Sequence, residues 1–395
     1  MDRWPAVARI IALGGGLVGR LVLDRLSASN DELLLIDNDR DAVAAASRLG
    51  IEARRGDAIA AAKEMELEDG DTIVNMLPGS IGHAARVTLV ERGATIVDLA
   101  FAPEHAESLD LAARRSGAVV IHDVGIAPGL SNMIVAEAIR KIGPLKSATI
   151  KVGGNPSAPD ANENGWSYMA PFSPADVIEE YTRPARIRRD GKIITVPALS
   201  GRHRIEVSGR GEMEAFLTDG LRSLLELDIP DFTEYTVRWP GHIDRWIRLF
   251  GDGIEPETTA ELLDEWRFEP SRPEFTWLEV AVVAGHRRRR TGRHLKVAVE
   301  GQCSENKAEE NEGVSGQSGT TKTLRWTVQD DGAKGWSSMA RTTGLVTETI
   351  TRLMHHGQLN IDAGVHSPES LPAIALTETI RTLTSAGVKI ALRTE

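Results

Sequence analysis

Gly14-Gly15-Gly16-Leu17-Val18-Gly19 is a G-x-G-x-x-G pattern that directly follows an apolar run, Ala8 to Leu13, and opens a helical one, Val18 to Leu26. Each glycine has its own use in holding a diphosphate. The first permits a tight turn, the second lets the anion reach the backbone, and the third allows close helix packing, while the helix N-terminal amides face the phosphates. The next strand-like run ends in Asp37, about 20 residues on, where an acid accepts hydrogen bonds from the adenosine ribose hydroxyls. A carboxylate there repels a 2′-phosphate, so NAD is expected over NADP; Arg40 close by is the feature that favours NADP. The competing reading is a plain strand-to-helix turn with Asp37 capping the segment after it.

The elements that must position this loop are legible in the first 125 residues, where short apolar runs alternate with helical stretches, the pattern of βαβ units around a parallel sheet. Five strands are expected: Ala8 to Leu13, Leu33 to Asp37, Thr72 to Met76, Thr95 to Asp98 and Val119 to Asp123. Helices are expected at Arg40 to Leu49, His83 to Arg92 and Pro103 to Ser116. The fold class is therefore α/β, a Rossmann-type doubly wound parallel sheet. Ligands of such sheets lie beyond the carboxyl ends of the strands, so Asn75, Leu77, Pro78, Asp98 and the segment Asp123 to Gly129 should surround a nicotinamide.

A helix start at Pro128 to Asn132 opens a second unit, and from Lys146 to about Trp326 scattered strands, Gly-Pro turns and most of the tryptophans suggest a mixed α/β domain. Its strands include Ala148 to Val152, Ile193 to Val196, Arg204 to Val207 and Glu279 to Val283. Residues 287–321 are expected to be a hairpin tip, since Gln302 to Thr320 is too polar to bury a face. Helical periodicity returns from Met339, and a short strand, Val388 to Leu392, ends the chain. The expected domains are 1–127 completed by 340–395, and 128–339.

The 395 residues carry 46 basic against 57 acidic side chains, a net charge of −11. That sign argues against a nucleic-acid partner, because phosphate backbones need a concentrated positive field. The run Arg287 to Arg290 stands alone and reads as a solvated hairpin. No stretch approaches the ~20 apolar residues of a membrane span, and the start lacks the order of an export signal. The single cysteine, Cys303, fits a reducing cytoplasm. No metal site is expected: no H-E-x-x-H occurs, and His355 and His356, adjacent on a helix, should face different directions.

Asp123-Val124-Gly125-Ile126-Ala127-Pro128-Gly129-Leu130-Ser131-Asn132 resembles the corresponding segment of the saccharopine dehydrogenase-like family, especially its lysine 6-dehydrogenase branch. Lys151 to Gly154, Glu180 to Ala185, Lys192 to Ser200, Thr218 to Arg222, Arg238 to His242, Met339 to Gly344 and Gly364 to Glu369 look like that branch too. The resemblance implies a nucleotide-binding domain, a second domain with substrate contacts and a homodimer surface, and a C-terminal return to the first. It also implies oxidation of a C–N bond, with an imine hydrolysed to an aldehyde and ammonia; lysine would yield a semialdehyde. Saccharopine reductases carry a lysine after the fourth strand and an aspartate before the Pro-Gly pair. Here those places hold Leu99-Ala100-Phe101 and Ala127, which favours the lysine 6-dehydrogenase-like branch over a saccharopine enzyme. A non-catalytic NAD-binding protein is the alternative from another class.

Amine oxidation needs a neutral nitrogen, and hence a base in the cleft. Asp123, Asp98 and His83 are the candidates, each weighed against a structural role in a turn, strand end or helix start. A substrate α-carboxylate suits the arginine fork, so Arg222, Arg238, Arg245 and Arg341 are candidate ligands, the alternative being surface ion pairs. Tyr168, beside Trp166, and His242, in a tryptophan-flanked segment, are candidate pocket walls or core aromatics.

Overall fold

The computed structural model describes residues 8–170, 174–251, 256–285 and 322–395. The expected hairpin tip at 287–321, with Arg287 to Arg290 and Cys303, lies outside them. The first unit runs β1 (Arg9–Leu13), α1 (Leu17–Leu26), β2 (Glu32–Asp37), α2 (Arg40–Arg48), β3 (Glu52–Arg55), α3 (Ala58–Glu64), β4 (Thr72–Asn75), α4 (Gly79–Glu91), β5 (Thr95–Asp98), α5 (Asp110–Ser116), β6 (Val119–Ile121) and α6 (Leu130–Ile142). Its strands pair in parallel in the order β3-β2-β1-β4-β5-β6. Helices cover both faces, so Ile11, Leu35, Val74 and Ile96 are buried and the central strands are continuously apolar. The order reverses between β1 and β4, and the crevice for a ligand opens there. The expected strands are all present. β3 was not anticipated because Glu52-Ala53-Arg54-Arg55 is a charged edge strand without an apolar run.

The second unit contains β7 (Leu145–Pro156), α7 (Pro174–Thr182), β8 (Ala185–Arg189), β9 (Lys192–Val196), β10 (His203–Val207), β11 (Gly211–Leu217), β12 (Asp231–Arg238), α8 (His242–Phe250), α9 (Pro256–Glu265), β13 (Glu274–Ala284) and β14 (Thr323–Asp330). These form a sheet in the order β10-β11-β12-β7-β13-β14, with β8 against β12 and β9 against β8. The β12–β7 pair is parallel and its other pairs antiparallel, so the sheet is mixed as expected. Trp166, Trp246 and Trp266 are buried together with Tyr168 and Tyr181. Among the described residues no helix is long and apolar enough to cross a membrane.

The chain then returns through α10 (Ser338–His355), β15 (Gly364–His366), α11 (Ala373–Ser385) and β16 (Lys389–Thr394). Helix α10 lies on α1, so closely that a Cβ on Gly344 would stand 2.7 Å from Leu21. β15 joins β6 in parallel and completes a seven-stranded first sheet. The last strand goes elsewhere: β16 pairs antiparallel with β14, setting Leu392 opposite Trp326 and Ile390 opposite Val328. The assignment of 340–395 entirely to the first domain is thereby corrected. The open edge of β14 offers backbone partners to the terminal apolar run, and the first sheet is closed on that side by a three-residue strand.

Arg86 and Asp98, both fully buried, join α4 to the end of β5 through a 2.5 Å contact. Arg86 also donates to the Ala100 carbonyl, and Asp98 accepts from the Ala100 amide. Removing one partner of such a pair strands a charge at a cost of about 3–5 kcal/mol. Arg86→Ala is therefore expected to lower unfolding stability by about that amount in urea titration, and a loss no larger than that of an ordinary surface substitution would contradict the pairing.

Candidate functional site

A cleft of about 580 Å³ runs from the Gly14–Gly19 turn, past the carboxyl ends of β1, β4 and β5, to the inner face of β12. At its first end the glycines divide the work by geometry. Gly14 has φ +95°, and an added Cβ would meet the Met76 carbonyl oxygen at 2.9 Å; a Cβ on Gly19 would stand 2.6 Å from the Gly14 carbonyl oxygen. Gly16 differs, since nothing lies within 4 Å of its Cβ position. It is also the N-cap of α1, and no side chain caps that helix. An open approach to uncapped helix amides fits a diphosphate. Asp37 accepts from the Gly15 amide at 2.5 Å and the Asp39 amide at 2.7 Å, so it braces the turn while lining the cleft. Leu17, Val18, Leu77 and Pro78 also line it. Asn75 does not; it is buried and donates to the Gly82 carbonyl.

In the middle of the cleft stands Asp123, held with φ +56°. Arg222, itself at φ +47°, donates to its carboxylate at 2.8 Å, and His122 lies 3.1 Å away. Burial opposes the charge on Asp123, but Arg222 and His122 outweigh it and hold the carboxyl far below the usual range. Such a group is an anion and a poor proton acceptor near neutrality. Two non-glycine residues in the left-handed region, joined across the two units, are a local strain of the kind found at functional sites.

The far wall comes from the second unit. Glu234, Thr236 and Arg238 alternate along β12 and share its cleft-facing side, as period-two spacing requires. Arg238 donates to the Tyr181 hydroxyl at 2.7 Å, and its guanidinium stacks 4.7 Å from the Tyr168 ring. Burial raises the Tyr168 hydroxyl to about 12, which keeps it neutral. Asp219 is gripped by both arms of Arg186, with Arg183 3.4 Å away. Glu180 lies 3.8 Å from Arg238. Glu234 is buried, and its Oε2 has no hydrogen-bond partner. Burial, reinforced by Glu180 and Asp219, pushes its carboxyl well above the usual range.

Several expected site residues do not reach the cleft. Asp98 is consumed by Arg86, and His83 stands beside the same guanidinium, 3.5 Å away. Arg245 covers Trp166 and donates to the Asn164 carbonyl. Arg341 is buried against Asp330 and the Ala386 carbonyl. His242 is enclosed by Trp166, Tyr168 and Trp266, where burial, then Arg238 and Arg245, keep it uncharged; Tyr181 links it at 3.1 Å to the cleft-lining Arg238. Arg222 acts on the cleft through Asp123. The reasoning that His355 and His356 cannot face one ion is also corrected: α10 ends at His355, and both rings bring a nitrogen within 4.8 Å of each other and of an Asp31 oxygen. Arg352, 3.5 Å from Asp31, opposes a cation there. Sequence reasoning missed Glu234, Glu180, Asp219 and Thr236. The alternation of Glu234, Thr236 and Arg238 with Tyr235 and Val237 was the available clue.

Residues 10–121 match the description "Saccharopine dehydrogenase NADP binding domain" and residues 125–388 the "Saccharopine dehydrogenase C-terminal domain". The chain belongs to the saccharopine dehydrogenase family. Similar curated proteins include the saccharopine dehydrogenases [NADP(+), L-glutamate-forming] of Saccharomyces cerevisiae, 25% identical over 47% of this chain and 43% of the relative, and of Pyricularia oryzae, 22% identical over 48% and 44%. An alpha-aminoadipic semialdehyde synthase of Arabidopsis thaliana is 28% identical over 32% of this chain and 12% of its own length. The matched segments thus span less than half of each relative. The structure of apo saccharopine dehydrogenase (L-Glu forming) from Saccharomyces cerevisiae superimposes with a TM-score of 0.72, covering 98% of this chain and 100% of that one at 18% identity. The family fold therefore extends over nearly the whole molecule.

Within this saccharopine dehydrogenase fold the two ends of the glycine pattern are separable by experiment. Gly16→Val fills open space, and its melting temperature is expected to stay at the wild-type value while calorimetric NAD(P) binding is lost. Gly19→Val must displace the Gly14 carbonyl and is expected to destabilise the fold by about 1–3 kcal/mol. Retained coenzyme binding by Gly16→Val would remove the turn from the binding site.

Proposed function

We propose that this protein is an NAD-dependent dehydrogenase that oxidises the side-chain amine of lysine or a related small amino acid, through an imine, to the semialdehyde and ammonia. The observation that carries this reading is the charge of the cleft's far wall. Asp176, Glu180, Asp219 and Glu234 line it, and among the described residues Arg238 is the one arginine lining the cleft. Such a wall suits a substrate rich in ammonium groups with a single carboxylate to offer Arg238. A bound nicotinamide would supply the hydride acceptor. The residues of this chain would orient the substrate between Arg238 and the carboxylates, and the closed aromatic wall behind Tyr168 would limit water at the reacting carbon. The preference for NAD rests on Asp37, Asp39 and Asp57, three carboxylates that line the adenosine end and repel a 2′-phosphate. Arg20 stands 3.9 Å from Asp39, and Arg55 is tied to the Asn38 carbonyl.

A second reading has its own support. The family descriptions and the full-length fold match favour a saccharopine-type enzyme acting on a secondary amine. That substrate is a tricarboxylate, and a wall with one lining arginine suits it poorly.

A panel of lysine, ornithine, other diamino acids and saccharopine, followed by NAD(P)H absorbance, separates the readings. Turnover of a diamino acid with saccharopine silent is expected. Turnover of saccharopine alone would establish the second reading, and tight coenzyme binding with no turnover would point to a non-catalytic protein. NAD is expected to exceed NADP in kcat/KM by about tenfold or more, the effect of one unfavourable charge contact of ~1.4 kcal/mol; the reverse preference would refute the role given to Asp37.

A further inference from the structure

We infer that Glu234 is the group that takes the proton from the substrate amine before hydride leaves the adjoining carbon. The inference rests on the amine-dehydrogenase reading above and adds a residue and a step to it.

Three geometric facts taken together point to this carboxylate; Asp123 in the same cleft also has an unpartnered oxygen, Oδ1, but its cations hold it ionised. Glu234 lies on the cleft-facing side of β12, two positions from Thr236 and four from Arg238, on a rigid interior strand hydrogen-bonded on both sides. Its Oε2 is buried without a hydrogen-bond partner. The chain also makes room for it: a Cβ on Gly220 would stand 1.6 Å from that same oxygen. A buried acceptor oxygen that nothing within the protein satisfies costs free energy, and its persistence beside a ligand cleft points to a donor supplied from outside. An alkylammonium is such a donor.

The surroundings decide how the group titrates. Glu180 and Asp176 face it from α7, Asp219 from the loop after β11, Arg183 from the end of α7, and Arg238 from β12 itself. Of the basic groups, Arg186 and Arg183 are engaged on Asp219, while Arg238 lies beside Glu180 and donates to the Tyr181 hydroxyl. Burial and the two nearest carboxylates outweigh the Gly220 amide and Arg183, so Glu234 holds its proton to a higher pH than an ordinary glutamate. A carboxylate raised in this way is a stronger base than Asp123, which its cations keep deprotonated.

The step balances. Glu234 in its carboxylate form removes one proton from the ammonium nitrogen. The nitrogen lone pair then forms the C=N bond as the C–H pair departs as hydride to NAD(P)+. Water adds to the carbon, the C–N bond breaks, and ammonia leaves with a proton, giving aldehyde, ammonium, reduced coenzyme and one released proton.

Glu234→Gln keeps the shape and removes the basicity. With whichever amine the wild type oxidises, kcat/KM is expected to rise with pH through the raised Glu234 pKa. In Glu234→Gln it is expected to be lower by about 10²–10⁴-fold and to lose that limb, with NAD affinity unchanged. Gly220→Ala, which must displace the carboxylate, is expected to lower kcat in the same sense. A second readout needs no turnover. Because the folded pKa is raised, the native state holds the proton that the unfolded chain gives up, so this group's contribution to wild-type stability falls as pH rises from the ordinary glutamate value through the folded pKa. The melting temperature of Glu234→Gln relative to wild type is therefore expected to climb over that interval. A wild type that oxidises amines while Glu234→Gln keeps both its rate and its acid limb would overturn the inference. A wild type that oxidises no amine would instead overturn the functional reading, and the melting comparison would still show whether Glu234 titrates as described.

Discussion

Helix α1 is clamped by glycine on two sides, and the rest of the molecule is arranged around that clamp. Beneath it, Gly19 sits against the Gly14 carbonyl at a distance no side chain permits; above it, Gly344 lets α10 settle on Leu21 and Val22. The lower contact fixes the helix N-terminus over the crevice between β1 and β4. The upper one brings back the end of the chain from Ser338 onward, whose following segments complete the first sheet with β15 and the second with β16. One helix thus holds a diphosphate turn in place and fastens two sheets into one cleft.

Charge is distributed unevenly along that cleft. At its centre Asp123 and Arg222 neutralise each other in strained backbone, an arrangement that ties the first unit to the second and holds the Asp123 carboxyl far below the usual range. Farther in, carboxylates outnumber the lining arginine, and one of them, Glu234, has an oxygen, Oε2, left without a hydrogen-bond partner. Burial magnifies both effects in opposite directions, because a low dielectric strengthens a made pair and penalises an unmade one. Two acids that line the same cleft therefore have opposite proton affinities, which is the means by which one fold holds a fixed anion and a titrating base together.

The glycine pattern, its helix, Asp37 and the five first strands were legible in the sequence, as was the change to a mixed second domain. The outcome was different for the polar site residues. Asp98 ends β5 and Asp123 follows two residues after β6, yet Asp98 is sealed under Arg86 and Asp123 opens to the cleft. Arg341 and Arg238 both follow from the same preference for a guanidinium, and only Arg238 faces the ligand space. The terminal strand was recognised as a strand and placed, with the rest of 340–395, in the first domain, whereas it pairs with β14 of the second sheet.

What the sequence determined by itself was whatever a few neighbouring residues decide: where a Cβ is forbidden, where apolar side chains recur every second or fourth position, and where a carboxylate follows a turn. Those requirements are local and leave a written pattern. Only the tertiary structure decided which charges are paired, because the partner of Asp123 comes from 99 positions away and that of Asp98 from 12. Glu234 is the extreme case: its character comes from burial and from the carboxylates of Glu180 and Asp219, and these are settled only when every strand and loop around it has been placed.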